Sequence, residues 1–118
     1  MRDHRKLEVF QMIHELVLRT YQHTRAFPRD EAFGLTSQMR RSAVSAAANI
    51  VEGAARRSSR DYNRFLEISF SSLRELGYYI DLAVELEYLD PDKATSLKDL
   101  QNTAAAKLGA LLKQRRGV

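Results

Sequence analysis

Residues 36–54 read TSQMRRSAVSAAANIVEGA, and their spacing contains the clearest structural signal in the chain. At about 100° per residue, the polar side chains fall within a stripe roughly 80° wide. The stripe comprises Gln38, Arg41, Ser45, Asn49 and Glu52. The other side of the helix carries the apolar side chains, and the charged Arg40 near the helix start is an exception on that side. This pattern predicts an amphipathic helix, with the hydroxyl of Thr36 or Ser37 as its N-terminal cap.

Three further helices are predicted around this one, and local start and stop signals mark their limits. Residues 3–25 carry an apolar face, and Pro28 prevents that helix from continuing. Ser58 and Asp61 resemble a capping box for a helix over residues 59–87, and Asp90-Pro91 begins a helix over residues 92–115. Four helices with short connections predict an all-α fold, an antiparallel up-down-up-down four-helix bundle that forms a single domain over residues 1–118.

The composition agrees with a small helical protein and excludes several other classes. The chain has 118 residues and no cysteine, so disulfides and thiolate metal sites are excluded. The 15 leucines and 14 alanines outnumber the 10 valines and isoleucines, which favours helix over sheet. The longest uncharged run has 10 residues, whereas a membrane-spanning helix needs roughly 20. The N-terminal region lacks the pattern of a signal peptide, so we expect a soluble cytoplasmic protein.

The polar stripe on the second helix has two interpretations. It is either a solvated face or a hydrogen-bonding seam at a contact between subunits. The third helix favours the second interpretation, because its apolar surface is wider than one bundle core needs and such surplus surface marks contacts. The surplus strip consists of Ile68, Tyr79, Leu82 and Leu86. We therefore predict a homo-oligomer whose interface combines this strip with Gln38, Arg41, Ser45, Asn49 and Glu52.

A basic cluster follows the second helix and provides the best candidate for nucleic-acid binding. Residues 1–60 carry 11 Lys and Arg against 6 Asp and Glu, whereas residues 61–118 carry 8 against 9. The cluster contains Arg56, Arg57 and Arg60 at the predicted entry to the third helix, where guanidinium groups could reach phosphates. Arg40 and Arg41 are the other nucleic-acid candidates. The alternative is that this region is an ordinary solvated turn.

The sequence contains no recognisable catalytic or metal-binding pattern. His4, His14 and His23 lie on one helix without the spacing of a metal site, and His14 falls on the apolar face, as a core or interface histidine would. The five glycines form no phosphate-binding loop. We therefore expect a protein that is not an enzyme and that needs no cofactor, no metal and no small-molecule substrate, and we expect no membrane partner.

Several motifs follow one another in the order found in a known protein family. Leu7 and Phe10 match its opening motif, and residues 65–66 and 72–76 match its third-helix motif. The second-helix motif is the most specific, and it comprises Phe27-Pro28, Glu31, Gly34-Leu35-Thr36, Gln38, Arg40-Arg41, Ser45, Asn49-Ile50 and Glu52-Gly53. On these residues the chain resembles the four helix bundle protein family, the proteins encoded in intervening sequences of bacterial 23S rRNA genes and their free-standing relatives.

The resemblance implies an antiparallel four-helix bundle that assembles into a ring, commonly a pentamer, and it assigns no biochemical activity. Similar bundles that accompany reverse transcriptases contact nucleic acid and protein, so the implied partners are further copies of the chain, RNA or another protein. Three departures concern helix packing: Phe10 stands where the family usually has Trp, Ala46-Ala47 where it often has Ile-Pro, and Ser71 where Gly is common. The expected function is a non-enzymatic, ring-forming scaffold or adaptor. The alternative is an RNA-binding module that uses a basic surface of the ring.

Overall fold

Residues 2–117 are described by a computed structural model, and they form four α-helices and no strand. The helices are α1 (Glu8–Thr24), α2 (Leu35–Ala54), α3 (Ser59–Glu85) and α4 (Pro91–Arg115). Short 3-10 turns, His4–Lys6 and Arg29–Glu31, precede α1 and α2. Each helix packs against the next one in the chain, and α4 completes the bundle by packing against α1. The predicted all-α antiparallel bundle is confirmed, with overall dimensions of 43 × 24 × 19 Å.

Side-chain caps determine where α3 and α4 begin. The hydroxyl of Ser58 accepts a hydrogen bond of 3.0 Å from the backbone N–H of Asp61. The carboxylate of Asp90 accepts one of 3.3 Å from the backbone N–H of Lys93, with Pro91 as the first helical residue. Both caps satisfy backbone donors that a helix end leaves without partners. These two caps are the signals from which the starts of the third and fourth helices were predicted.

The first helix begins later than the predicted residue 3. The carboxylate of Asp3 accepts from the backbone N–H of Arg5 at 3.0 Å, so it caps a single 3-10 turn instead of an α-helix. Leu7 follows in an extended conformation, with φ −82° and ψ 116°, and α1 starts at Glu8. Asp3 therefore caps the 3-10 turn His4–Lys6, and it does not cap α1.

The start of α2 also differs from the prediction, because neither Thr36 nor Ser37 caps it. The helix starts at Leu35, whose backbone N–H donates to Glu31 Oε1 at 3.0 Å. Thr36 is buried one position inside the helix. The carboxylate of Glu31, four residues earlier in the preceding 3-10 turn, takes the place of the hydroxyl cap that the sequence suggested.

The core runs along the whole bundle and is filled from all four helices. The side chains that are completely buried include Ile13, Leu16, Met39, Ile50, Leu66, Leu73, Leu76, Ile80, Leu97 and Leu108. The α2–α3 pair approaches most closely where small residues lie between the helices. Ser69 Oγ donates to the carbonyl of Ala46 at 2.6 Å, and a Cβ on Gly53 would lie 2.8 Å from Phe65 Cβ. The absence of a side chain at Gly53 therefore allows α2 and α3 to pack closely. The helix itself ends one residue later, at Ala54.

None of the helices in residues 2–117 is both long enough and apolar enough to cross a membrane.

Candidate functional site

Exposed large apolar side chains lie on α1, on α2 with its preceding turn, and on α3, and they are grouped into two surfaces. The first, named here the α1–α2 face, comprises Leu18, Tyr21, Phe33, Val44 and Val51. The second, named the α3 face, comprises Ile68, Tyr78 and Leu86. Among residues 2–117, α4 contributes no large apolar side chain of this kind. Tyr21, Phe33 and Val44 meet around one groove, whereas the three residues on α3 are separated by eight to ten positions. The two faces are the candidate contact surfaces.

Phe33 is the most exposed apolar residue, at 98%. Its turn is nevertheless well anchored, because Glu31 accepts from the Leu35 N–H and, through Oε2, from the Tyr88 hydroxyl at 2.9 Å. These bonds lower the pKa of Glu31, the backbone bond more than the phenol, and the same contact raises the pKa of Tyr88. An aromatic ring on an anchored turn is suited to insertion into a partner surface.

A groove of about 570 Å³ lies beside Phe33, between the end of α1 and the start of α2. Tyr21 and Val44 provide its apolar walls, and Arg40 and Arg41 line it with positive charge. The guanidinium of Arg40 donates to Thr24 Oγ1 at 2.9 Å and lies 4.7 Å from the centre of the Tyr21 ring. Arg40 is therefore held in the contact between α1 and α2.

The predicted strip on α3 divides into two parts in the structure. Ile68 and Leu86 are exposed, at 40% and 44%. Tyr79 and Leu82 are half-buried and pack against the core, so they are not surplus to the bundle. Tyr78, which was not part of the predicted strip, is 62% exposed. On the helix surface Tyr78 falls between the side that faces the core and the predicted strip, so helical periodicity alone assigns it to neither.

The polar stripe of α2 also divides in two. Gln38, Arg41 and Glu52 are exposed, as on a solvated face. Ser45 and Asn49 are half-buried, and their hydrogen bonds are made within the chain. The hydroxyl of Ser45 lies 2.9 Å from that of Ser72 on α3, and Asn49 Nδ2 donates to the Ser45 carbonyl at 2.8 Å. This part of the stripe is the seam between α2 and α3 of one bundle.

The five candidate arginines do not form one site. Arg56, Arg57 and Arg60 lie together where α2 ends and α3 begins. Arg40 and Arg41 lie near the start of α2, about 20 Å away along the helix at 1.5 Å per residue. A single phosphate group can therefore contact only one of the two groups.

The structure adds arginines from both ends of the chain to the first of these groups. Arg2 Nη1 donates to the carbonyl of Arg56 at 3.0 Å. The guanidiniums of Arg2 and Arg115 both lie over the ring of Tyr62, at 4.2 and 4.4 Å from its centre. No sequence signal could place Arg2 and Arg115 together, because they meet only through the fold. This region, with Arg2, Arg56, Arg57, Arg60 and Arg115, is named here the basic end.

Several charges of the basic end have no acidic partner. Arg56 pairs with Glu52, one turn earlier on α2. Within residues 2–117, no carboxylate oxygen lies within 4.0 Å of the guanidiniums of Arg2, Arg57 or Arg60. A polar cleft of about 560 Å³ lies between Arg2 and Arg57. Unpaired guanidiniums around a cleft are suited to phosphate groups.

The histidines and carboxylates of the described residues form no cluster that could hold a metal ion. His14, expected in a core or interface, is exposed and stacks on Phe10 with ring centres 6.2 Å apart. Burial, with the nearby charges of Lys93 and Arg19, lowers the pKa of His23. These histidines therefore have individual structural surroundings and no common site.

Comparisons with known proteins place this fold among related chains. A family model described as 23S rRNA-intervening sequence protein matches residues 5–110. A crystal structure of a protein with unknown function from the S23 ribosomal protein family of Bacteroides thetaiotaomicron is similar, with a TM-score of 0.80 and 23% sequence identity. The similarity covers 89% of this chain and 98% of that chain. No curated protein matches the chain significantly. At this level of identity the structural similarity concerns the fold.

Proposed function

This chain belongs to the 23S rRNA-intervening sequence protein family, and on that premise we propose that it is a non-enzymatic homo-oligomeric scaffold or adaptor, assembled as a closed ring. The proposal rests on one observation above all. The exposed large apolar side chains of the described residues lie on α1, on α3 and on α2 with its preceding turn, and none lies on α4. Tyr21, Phe33 and Val44 meet around one groove, and clustered apolar surface of this kind is typical of a contact.

The number of subunits follows from the family resemblance, which implies a pentamer. Physical reasoning supports only the type of contact. Because the α1–α2 face and the α3 face are different surfaces, they favour a heterologous contact, in which one copy presents one face to the other face of its neighbour. Such contacts form a ring when the rotation between neighbours closes.

A scaffold role is favoured over catalysis by the surface of the bundle. The groove beside Phe33 on the α1–α2 face is lined by apolar side chains, hydroxyl side chains and two arginines, with no carboxylate or histidine in its lining. Enzyme sites instead bring polar groups with perturbed pKa values together in a concave pocket. The perturbed pKa values of Glu31 and Tyr88 arise from a helix cap and its support.

A matched pair of substitutions tests the assembly. Ala48 lies on the outer side of α2 between Val44 and Val51, and Ala106 lies on the outer side of α4; both are exposed and helical. We expect Ala48→Glu to weaken self-association by about tenfold or more, because a charge enters the contact. Ala106→Glu should leave it unchanged. Equal sedimentation behaviour of the two variants and the wild type would contradict the proposed surface.

A second candidate function is RNA binding at the basic end. The observation that favours it is that Arg2 and Arg57, which lack carboxylate partners within the described residues, line one cleft, with Arg60 nearby in the first turn of α3. Sequence-independent binding to a phosphate backbone requires little more than such a cluster. A ring would multiply it, because each copy of the chain carries a net charge of +4.

A further inference from the structure

We propose that the cleft of the basic end binds a terminal phosphate monoester and prefers it to an internal phosphodiester. The monoester is either the 5′-phosphate of an RNA chain or a free phosphate compound. The inference rests on the RNA-binding function proposed second, and it adds the chemical group that the cleft recognises. Three properties of the cleft support it: the way its arginines are held, the charge they leave uncompensated, and the kind of side chain that lines it.

The N-terminal segment is fixed against the end of α2, and it provides one wall of the cleft. The backbone N–H of Arg2 donates to the carbonyl of Ala54 at 3.1 Å, and Arg2 Nη1 donates to the carbonyl of Arg56 at 3.0 Å. The same guanidinium lies 4.2 Å from the centre of the Tyr62 ring. All these partners are uncharged groups, so Arg2 is positioned without losing its positive charge. A guanidinium that is already held in place loses less conformational entropy when a ligand binds.

Two of the three arginines that line the cleft keep an uncompensated charge. Arg56 is paired with Glu52, and its guanidinium also lies 4.8 Å from the centre of the Phe65 ring. Among residues 2–117, no carboxylate oxygen lies within 4.0 Å of the guanidiniums of Arg2 or Arg57. A terminal phosphate monoester carries close to two negative charges near neutral pH, whereas an internal phosphodiester carries one. The monoester therefore matches the two uncompensated charges better.

The lining of the cleft suits the oxygens of a phosphate group. The lining residues are Arg2, Ala55, Arg56 and Arg57, so guanidinium groups provide most of its polar surface. A guanidinium presents N–H donors in a planar fork that can bind two phosphate oxygens at once. A terminal monoester offers three such oxygens. The cleft volume of about 560 Å³ lies within the range of small-ligand sites.

The surroundings of the cleft favour recognition of a phosphate over recognition of a base. Proteins that bind single strands through their bases use exposed aromatic rings for stacking. Of the described residues, the four that line the cleft include no aromatic side chain. Tyr62 is only 6% exposed, and Phe65 is half-buried beside the guanidinium of Arg56. The cleft would therefore hold an RNA by its terminal phosphate, whatever the sequence of the chain.

Two RNA probes that differ in one group test this preference. A short single-stranded RNA, labelled at its 3′ end, is prepared once with a 5′-phosphate and once with a 5′-hydroxyl. Binding of each probe is measured by fluorescence anisotropy at the same low salt concentration. The wild type should bind the phosphorylated probe about tenfold more tightly, as expected for one additional charge-assisted contact.

Three variants separate the cleft from the general positive charge of the basic end. Arg57→Ala removes an uncompensated charge from the lining, whereas Ala55→Leu fills space at an exposed position and removes no charge. Both should reduce the preference to about twofold or less. Arg60→Ala is the matched control, because Arg60 is exposed but does not line the cleft. It should weaken binding of both probes and keep the preference. Thermal melting confirms that each variant is folded.

Equal binding of the two probes by the wild type would overturn this inference and leave RNA binding at the basic end standing. A preference that survives Arg57→Ala, or that Arg60→Ala removes as fully, would do the same. If neither probe binds, inorganic phosphate tests the other source of the ligand. A melting temperature that phosphate raises in the wild type but not in Arg57→Ala would support the cleft and refute RNA binding. No effect of phosphate, together with no RNA binding, would overturn both proposals.

Discussion

The absence of a side chain at Gly34 makes room for the carboxylate of Glu31, because a Cβ on Gly34 would lie only 2.4 Å from Glu31 Oε1. That same oxygen accepts the N–H of Leu35 and caps α2. The glycine therefore leaves the space that this carboxylate oxygen occupies. The turn that presents Phe33 and the start of α2 depend on this single fit.

The first prediction concerns which residue caps α2. Glu31→Ala should lower the melting temperature by roughly 5 °C, because it removes the acceptor of the Leu35 N–H. Ser37→Ala is the control and should change it little, since Ser37 makes no capping hydrogen bond. Equal effects of the two substitutions in a thermal melt would show that the cap has been assigned to the wrong residue.

The second prediction concerns the pH dependence of that cap. The backbone bond to Leu35, followed by the Tyr88 phenol, lowers the pKa of Glu31 from its ordinary value of 4.5. A carboxyl group with a lowered folded-state pKa stabilises the fold above its unfolded pKa, and this contribution is lost as the pH falls through the folded value. The stability difference between wild type and Glu31→Gln should therefore be complete near pH 7 and shrink below about pH 4.5. If the stability difference between wild type and Glu31→Gln does not change as the pH falls, the ionised carboxylate of Glu31 is not its source.

The third prediction concerns close packing between α3 and α4. A Cβ on Gly77 would lie 2.7 Å from Gln101 Nε2, which donates to the Leu73 carbonyl at 2.8 Å in the buried core. Gly77→Ala should therefore destabilise the protein by about 1–3 kcal/mol in denaturant unfolding. In a Gln101→Ala background the same change should cost less, because the clashing side chain is gone. If Gly77→Ala lowers the free energy of unfolding equally in both backgrounds, the contact between the new methyl group and Gln101 is not the cause of the destabilisation.

The fourth prediction concerns RNA at the basic end. Replacing both Arg57 and Arg60 with Ala should weaken binding of a generic single-stranded RNA and lower the slope of log K against log salt by about 1.4 in magnitude. The control replaces Arg25 and Arg29, two exposed arginines at the opposite end, and should leave the slope unchanged. If RNA does not bind the wild type even at low salt, RNA binding at the basic end is refuted.

Local signals predicted the fold well because they operate over a few residues. The caps at Ser58 and Asp90 lie beside the helices that they start, so the pattern contains the whole interaction. The cap of α2 was predicted wrongly although its acceptor lies only four residues before Leu35, because a hydroxyl at the helix start is the usual capping signal. A hydroxyl was present at the expected place, whereas the actual acceptor, Glu31, approaches from the preceding turn.

The candidate surfaces could be predicted only in part. Periodicity identified Ile68 and Leu86, because exposure on a long helix follows its rotation. It could not recognise that Tyr79 and Leu82 pack against the core, nor that Phe33 on a connecting turn is almost fully exposed. The basic end was even less accessible to sequence reasoning, since Arg2 and Arg115 join Arg56 only when the chain ends meet at Tyr62.

The mass of the native particle tests the central claim most directly. Each chain has a mass of 13.5 kDa. Native mass spectrometry or light scattering of the purified protein at micromolar concentration should give a single closed multiple of that mass greater than two, and five copies are expected from the family resemblance. A dimer would contradict the ring but not self-association, and a particle of one chain mass would contradict the scaffold account.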